Sequence, residues 1–385
     1  MRIDFTPSDG PTVGIELELH LVDKDTGDLV SMSNEIREEL GAGCPEGTHP
    51  KAKHELFQST IEIITDVCET PAQARSDLAE TLDQVRTAAA SRGLELVSSG
   101  TQPFARARDL VVSPSPRYDA LVEAMNWPAR RHLICGLHVH VGVSSGERAI
   151  AVVNEVGRHL PLFLALSASS PFFEGEDSGL ASARSKVFEG LPTAGLPPQL
   201  ADWVDFEAFM STLLDTECIS SIREVWWDIR PHPDFGTVEL RMCDATPTLR
   251  EAAALAGLAQ TLVAWSLERI EAGDMPTPPR EWTVRENRWL ASRYGLDAEL
   301  IVEGDENGTV RRAPIRDLLD ELHDRLAPTA EELGTQEEFA DLRRIATEGS
   351  GTERLRRLVE GGATLVDVVH HLADELANDR TGPPA

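Results

Sequence analysis

Three ionisable side chains alternate with apolar residues near the N-terminus. Glu16, Glu18 and His20 occupy even positions between residues 12 and 22, and the odd positions are all apolar: Val13, Ile15, Leu17, Leu19 and Leu21. Because successive side chains of a strand point to opposite faces, the segment is predicted to be a strand with one apolar and one ionisable face. Two glutamates about 7 Å apart on one face repel unless a cation lies between them. A divalent metal ion would meet that need.

Two later segments repeat the pattern. His138 and His140 alternate with apolar residues over 137–143, as Glu239 and Arg241 do over 237–244. Each pair alone is explained by a solvated face or a cross-strand ion pair, but three such rows favour an antiparallel sheet with one face on helices and one lining a cleft. Glutamates with one histidine suit Mg²⁺ or Mn²⁺ rather than zinc. An arginine in the same row indicates a metal-bound nucleotide.

The elements that position these rows predict an α+β fold. Strands are expected at 12–22, 54–65, 94–99, 137–143, 224–230 and 237–244, and helices at 70–92, 147–167, 203–214 and 249–271. The Gly/Pro-rich stretch 170–198 is too long for a passive connection and is predicted to be a functional loop. The remainder is helical in pattern, with breaks expected at 276–279, 305–308, 328 and 361–362. We therefore expect one catalytic domain over residues 1–377, with a sheet-rich active-site part (1–250), a helical part (251–377) and a frayed tail (378–385).

The charge balance narrows the function. Of 385 residues, 36 are basic and 65 acidic, giving a net charge of −29, which argues against nucleic acid or an anionic membrane as partner. The five cysteines form no CxxC pair, so neither a disulfide framework nor a thiolate zinc site is expected. The N-terminus shows no apolar signal core, and no apolar run reaches membrane-spanning length. We expect a cytoplasmic protein that acts on small molecules.

Several motifs together resemble one family. They are GIELE at 14–18, GLHVHVG at 136–142, RSKVF at 184–188, PTAGLP at 192–197, WWDIRP at 226–231 and GTVELRMCD at 236–244. As a set they resemble the glutamate–cysteine ligase type 2 family of carboxylate–amine ligases. The resemblance implies a glutamine-synthetase-like curved antiparallel sheet with flanking helices. It also implies a homodimer that forms amide bonds of the γ-glutamylcysteine kind with ATP and Mg²⁺, through an acyl phosphate and with release of ADP. Many members show only weak glutamate–cysteine ligase activity.

The resemblance also assigns roles to individual positions. The implied metal ligands are Glu16, Glu18, Glu55, Glu62, His138 and Glu239. Arg241 and Glu239 would bind ATP, and Arg241 and Arg184 would be catalytic. The implied substrate-binding residues are His140, Arg184, Arg223 and Arg230. Since Glu55 and Glu62 are seven residues apart, an unbroken strand would place them on opposite faces, so we expect a bulge or a Glu55 that precedes the strand.

Other interpretations of the same residues stay open. A metal-dependent hydrolase could use His138, His140 and the carboxylates to activate water, with a zinc-like histidine set. A nucleotide-binding protein without catalysis is a third possibility. Cys243 shares the parity of Glu239 and Arg241 and is expected on the same face, as a packed small residue rather than a catalyst.

Overall fold

A seven-stranded antiparallel sheet forms the centre of the computed structural model, which describes residues 2–274, 278–303 and 310–379. The strands of the described residues are β1 Val13–Asp23, β2 Ala52–His54, β3 Thr60–Ile64, β4 Leu94–Val97, β5 Gly136–Gly142, β6 Phe172–Phe173, β7 Glu176–Asp177, β8 Ile229–His232, β9 Thr237–Asp244, β10 Glu299–Glu303 and β11 Val310–Pro314. The sheet order is β2-β3-β1-β5-β9-β8, and β4 also pairs with β1. The predicted α+β fold with an antiparallel sheet is confirmed.

Helices surround this sheet and make up most of the C-terminal part. They are α1 Ser33–Gly41, α2 Pro71–Ala90, α3 Pro116–Met125, α4 Trp127–Arg130, α5 Gly146–Val156, α6 Leu160–Ser167, α7 Ala183–Phe188, α8 Trp203–Asp215, α9 Leu249–Glu271, α10 Glu281–Tyr294, α11 Ile315–Leu333, α12 Gln336–Glu348, α13 Gly351–Glu360 and α14 Leu365–Asn378. The hydroxyls of Thr70 and Thr248 cap α2 and α9, accepting from the amides of Gln73 and Glu251, as side-chain oxygens do at helix N-termini.

The apolar face of the sheet is the main core. The five apolar odd positions of β1, from Val13 to Leu21, are at most 1% exposed and belong to one buried cluster with side chains of α2, α5, α6 and α9. Helix α9 contributes a run of buried alanines, and small side chains allow a helix to approach a sheet closely. Burial of this face fixes the strand phase, so the even positions must point to the opposite side.

The strand register brings the ionisable rows together. In β1, Glu16 lies opposite His138 of β5, and Glu18 lies opposite Glu62 of β3. On the far side of β5, His140 lies opposite Glu239 of β9. Residues from four stretches of chain therefore share one face.

A register irregularity between β5 and β9 corrects one expectation. Leu137 pairs with Cys243 but Val139 pairs with Leu240, so two residues of β9 oppose His138. Such a bulge changes the phase of the strand. Cys243 consequently lies in the apolar core with Leu137, and the expectation that it shares the face of Glu239 and Arg241 was wrong.

Several predicted boundaries also need correction. The 54–65 strand is two strands, β2 and β3, separated by the segment that carries Glu55. The strand expected at 224–230 begins only at Ile229, and the C-terminal part contains the β10–β11 hairpin. Pro328 lies inside α11 instead of ending it, whereas the break at 361–362 separates α13 from α14. Residues 276–277, 305–308 and 380–385, where breaks or a tail were expected, lie outside the described residues.

The helix predicted at 147–167 is α5 and α6 joined by a 3₁₀ turn at Gly157–His159. By length and composition alone, Gly146–Ser167 would also suit a membrane span. However, 78% of its most apolar stretch is buried inside the protein, as in a core helix.

Candidate active site

A cleft of about 700 Å³ opens on the ionisable face of the sheet. Every residue that the sequence predicted for the site lines it: Glu16, Glu18, Glu55, Glu62, His138, His140, Arg184, Arg223, Arg230, Glu239 and Arg241. His20 shares the parity of Glu16 but does not line the cleft; it is fully buried with its Nδ1 3.5 Å from the Cys135 sulfur. Burial lowers the pKa of His20 to about 4, so it is a neutral core residue at pH 7.

Glu16 lies at the centre of the cleft floor. Its carboxylate is 2.9 Å from His138 Nδ1 and 3.4 Å from His140 Nε2. Burial alone would raise the pKa of Glu16, but the hydrogen bonds and charges of the two histidines outweigh burial and hold that pKa well below its usual value. Glu16 is therefore ionised and available as a ligand throughout the physiological pH range.

The carboxylates form three overlapping groups whose ligand atoms lie within 4.8 Å of one another. They are Glu16–Glu62–His138, Glu16–His140–Glu239 and Glu18–Glu55–Glu62. Each group offers mostly carboxylate oxygen and at most one histidine nitrogen, a donor set that suits Mg²⁺ or Mn²⁺ better than zinc.

The third group, Glu18–Glu55–Glu62, consists of carboxylates alone. Burial, followed by the charges of Glu18 and Glu16, raises the pKa of Glu55 to about 8. Burial and the charges of its acidic neighbours also raise the pKa of Glu62 well above its usual value. Like charges directly opposite on neighbouring strands are destabilising, yet Glu18 and Glu62 occupy such positions. A bound divalent cation would neutralise this cluster, so the residues present fit the metal.

In the other half of the cleft floor, two arginines form ion pairs with the same carboxylate, that of Glu239. Glu239 is 1% exposed, and it accepts from Arg230 Nε at 2.7 Å and forms an ion pair with Arg241. Burial opposes ionisation, but the charges of Arg230 and Arg241 hold the pKa of Glu239 well below its usual value. Two guanidinium groups on one carboxylate leave net positive charge here, next to the acidic groups.

Arg184 enters the cleft from α7 instead of from an irregular loop. The Ser182 hydroxyl caps this helix by accepting from the Ser185 amide at 3.1 Å. The Arg184 guanidinium donates to the carbonyls of Met242 and Arg241, each at 3.2 Å. These contacts fix the position of a buried positive charge at the edge of the cleft.

Arg223 and Arg230 occupy different environments although both were predicted to bind substrate. Arg230 is largely buried on Glu239 and also donates to the Val225 carbonyl at 2.7 Å. Arg223 lies at the mouth, where its side chain is 57% exposed and pairs with Asp234 at 3.3 Å. Of these two arginines, Arg223 can move without breaking a buried ion pair.

Comparison with known proteins establishes the family. The model of glutamate–cysteine ligase family 2 (GCS2) matches residues 12–370 of this chain. The chain belongs to that family. A Thermobifida fusca protein provisionally named glutamate–cysteine ligase 2 is 47% identical over 385 residues, which is 100% of this chain and 95% of that protein. A Gloeobacter violaceus protein with the same provisional name is 43% identical over 381 residues, 98% of this chain and 100% of that protein.

Solved structures of ligases share the fold of this family 2 protein. A Francisella tularensis glutamate–cysteine ligase in complex with AMP aligns with a TM-score of 0.68 at 12% identity, covering 96% of this chain and 90% of that one. A bifunctional glutathione synthetase from Pasteurella multocida aligns with a TM-score of 0.69 at 13% identity. The alignment covers 96% of this chain but about half (52%) of the synthetase. Family and fold together support an ATP-dependent carboxylate–amine ligase.

Sequence reasoning missed several residues that line the cleft of this family 2 protein: Arg117, Tyr118, His132, Trp226, His232 and Phe235. His232 was detectable, because it follows Arg230 by two residues and therefore shares its strand face. Arg117 and Tyr118 lie at the start of α3, after an irregular segment, and carry no periodic signal. Tertiary packing alone brings them to the cleft.

Proposed function

We propose that this protein is an ADP-forming ligase that joins a carboxylate to an amine through an acyl phosphate. The proposal depends on one observation. An acidic cluster (Glu16, Glu18, Glu55 and Glu62) and a cationic group (Arg230 and Arg241 on Glu239) lie side by side on one face of the sheet. A nucleoside triphosphate needs both: divalent cations between its phosphates, and guanidinium groups on the phosphoryl group that moves. A hydrolase with a zinc-like histidine set is less well supported, since each donor group of the described residues has at most one histidine.

The reaction needs two displacements. A carboxylate is a poor acyl donor because its leaving group would be oxide. Its oxygen attacks the γ-phosphorus of ATP, the bond to the ADP oxygen breaks, and an acyl phosphate forms. The amine nitrogen then attacks the acyl carbon, phosphate leaves with the former carboxylate oxygen, and the amine proton passes to a phosphate oxygen or a neighbouring carboxylate.

The chain supplies binding and electrostatics for these steps. Glu16, Glu18, Glu55, Glu62, Glu239 and His138 would hold Mg²⁺ or Mn²⁺. When bound, the metal neutralises phosphate charge. Arg241 stabilises the transferring phosphoryl group, and Arg184 binds the same group or the substrate carboxylate. His140, Arg223 and Arg230 contribute to substrate binding.

An oxygen-transfer experiment tests the proposal. The protein is incubated with ATP, Mg²⁺, ¹⁸O-carboxylate-labelled glutamate and a panel of amines that includes cysteine, and ADP and phosphate are analysed by mass spectrometry. We expect amine-dependent ADP formation and one ¹⁸O atom in the released phosphate. Release of unlabelled phosphate that does not depend on the amine would support the hydrolase instead, and amine-dependent ADP formation without ¹⁸O in phosphate would refute the acyl phosphate. Arg241→Ala should abolish turnover, whereas Glu332→Gln, an exposed change on α11, should not.

The proposal also covers the extent of the catalytic unit, the oligomeric state, the location and the substrate preference. We propose one catalytic unit over residues 1–377, a homodimer and a cytoplasmic location, with glutamate–cysteine ligation as a weak activity. Light scattering coupled to gel filtration tests the dimer, and the amine panel tests the substrate preference.

A further inference from the structure

A stacked aromatic pair forms one wall at the mouth of the cleft. The rings of His232 and Phe235 are nearly parallel, with centroids 4.1 Å apart and 8° between their planes. The His140 ring meets both in edge-on geometry, at 5.6 and 5.7 Å. All three residues line the cleft. The aromatic wall therefore extends from the acidic floor, where His140 contacts Glu16, to the opening.

The turn that carries Phe235 is held in place although Phe235 itself is 55% exposed. The Thr6 amide donates to the Pro233 carbonyl at 2.9 Å. Gly236 has φ +66° and approaches the Thr6 backbone so closely that no side chain would fit. Asp234 pairs with Arg223 across the mouth. One face of the Phe235 ring is covered by His232, and the remaining surface is fixed in position and open to a ligand.

The surroundings of this wall favour an amine. Glu217 and Glu224 line the same cleft, and the Arg223–Asp234 pair joins their loop to the aromatic turn. Aromatic faces bind apolar groups and attract cationic amines, and acidic residues in the same cleft add to the attraction for an amine.

The cleft also contains a second apolar wall, made by Ile134, Phe188, Leu191 and Trp226. This wall would offer a separate surface to the nucleoside base of ATP. A base and an apolar substrate group therefore need not compete for one surface.

We propose that His232 and Phe235 bind a flat, aromatic side group of the amine co-substrate. The inference rests on the proposed ligase function and narrows its amine to arylalkyl amines. A stacked aromatic contact contributes enough to change affinity about tenfold. The wall thus determines specificity for the amine and leaves ATP binding unchanged.

The test compares phenethylamine with butylamine as amine probes, in the presence of ATP, Mg²⁺ and glutamate. We expect wild-type protein to show a KM for phenethylamine about tenfold below that for butylamine. Phe235→Ala should remove that difference and leave the KM for ATP unchanged, and Phe235→Trp should restore it. Val67→Ala, which changes an 81% exposed side chain that is not part of the cleft wall, is the matched control. Equal KM values for the two amines in wild-type protein would overturn the proposal.

A binding measurement separates this proposal from the ligase proposal. Phenethylamine is titrated calorimetrically onto protein that carries Mg²⁺ and a non-hydrolysable ATP analogue. Binding that Phe235→Ala weakens about tenfold, with no ADP release from any amine, would support the aromatic subsite and refute the ligase. Amine-dependent ADP release with binding that is insensitive to Phe235→Ala would refute the subsite and leave the ligase intact.

Discussion

The acidic cluster around Glu62 is expected to lower the stability of the protein when no cation is bound, and this effect can be measured. Ligand oxygens of Glu18, Glu55 and Glu62 lie within 4.8 Å of one another. At an effective dielectric constant of about 20, two unit charges at this separation repel by roughly 3 kcal/mol. Without a cation Glu55 and Glu62 tend to retain protons, because burial and then the charges of the neighbouring carboxylates raise their pKa values.

Glu62→Gln keeps the shape of the side chain and removes one ionisable group. We expect the metal-free variant at pH 9 to be more stable than wild-type protein by about 1–3 kcal/mol. This difference is the repulsion between carboxylates that remains in wild-type protein after bound protons have neutralised part of the cluster. Saturating Mg²⁺ with an ATP analogue should stabilise wild-type protein by about 2.7 kcal/mol at a hundredfold excess over Kd. The variant should gain much less, because it lacks a ligand shared by two donor groups.

Urea unfolding followed by tryptophan fluorescence measures both quantities, with Glu332→Gln as the control for an exposed glutamate. The control should match wild-type protein in both conditions. A metal-free Glu62→Gln variant that is less stable than wild-type protein, and that Mg²⁺ with the analogue stabilises as strongly as wild-type protein, would refute the reasoning.

Three further predictions follow from the same geometry. Arg241→Lys should lower kcat by about 10²-fold, since a lysine cannot reproduce the planar guanidinium contact; a kcat within twofold of wild type would contradict this. The pKa of Glu55 is raised from 4.5 to about 8, so the stability of the metal-free protein, measured by denaturation, should fall as pH rises between these values. The affinity for Mn²⁺, measured by calorimetry, should rise as pH rises through 8, and a flat affinity profile would exclude Glu55 as a ligand. Asp228→Asn should destabilise the protein by about 3 kcal/mol, because Asp228 is fully buried and binds Arg288 at 2.5 Å, while Arg285→Ala at an exposed helix position should change urea stability little.

The alternating strands were predictable because burial of one face determines the parity of the other. Glu16, His138 and Glu239 each alternate with residues that are fully buried, and the sheet register then places them side by side. The sequence pattern and the family motifs were thus sufficient for the floor of the cleft. The structure places these residues together in one cleft, as the sequence predicted.

Features that depend on irregular backbone were not predictable from periodicity. Glu55 reaches the acidic cluster only because the chain breaks between β2 and β3. Cys243 moves into the core because of the bulge opposite His138. Pro328 is tolerated inside α11, and the β10–β11 hairpin interrupts a region of helical pattern. In each case tertiary contacts override a local preference.

Anomalous diffraction from crystals grown with Mn²⁺ and a non-hydrolysable ATP analogue tests the central claim most directly. We expect manganese peaks at coordination distance from the carboxylates of Glu16, Glu62 and Glu239, with the analogue's phosphates completing the coordination and Arg241 on the terminal phosphate. Manganese or phosphate density located elsewhere, with this cleft filled only by water, would contradict the account.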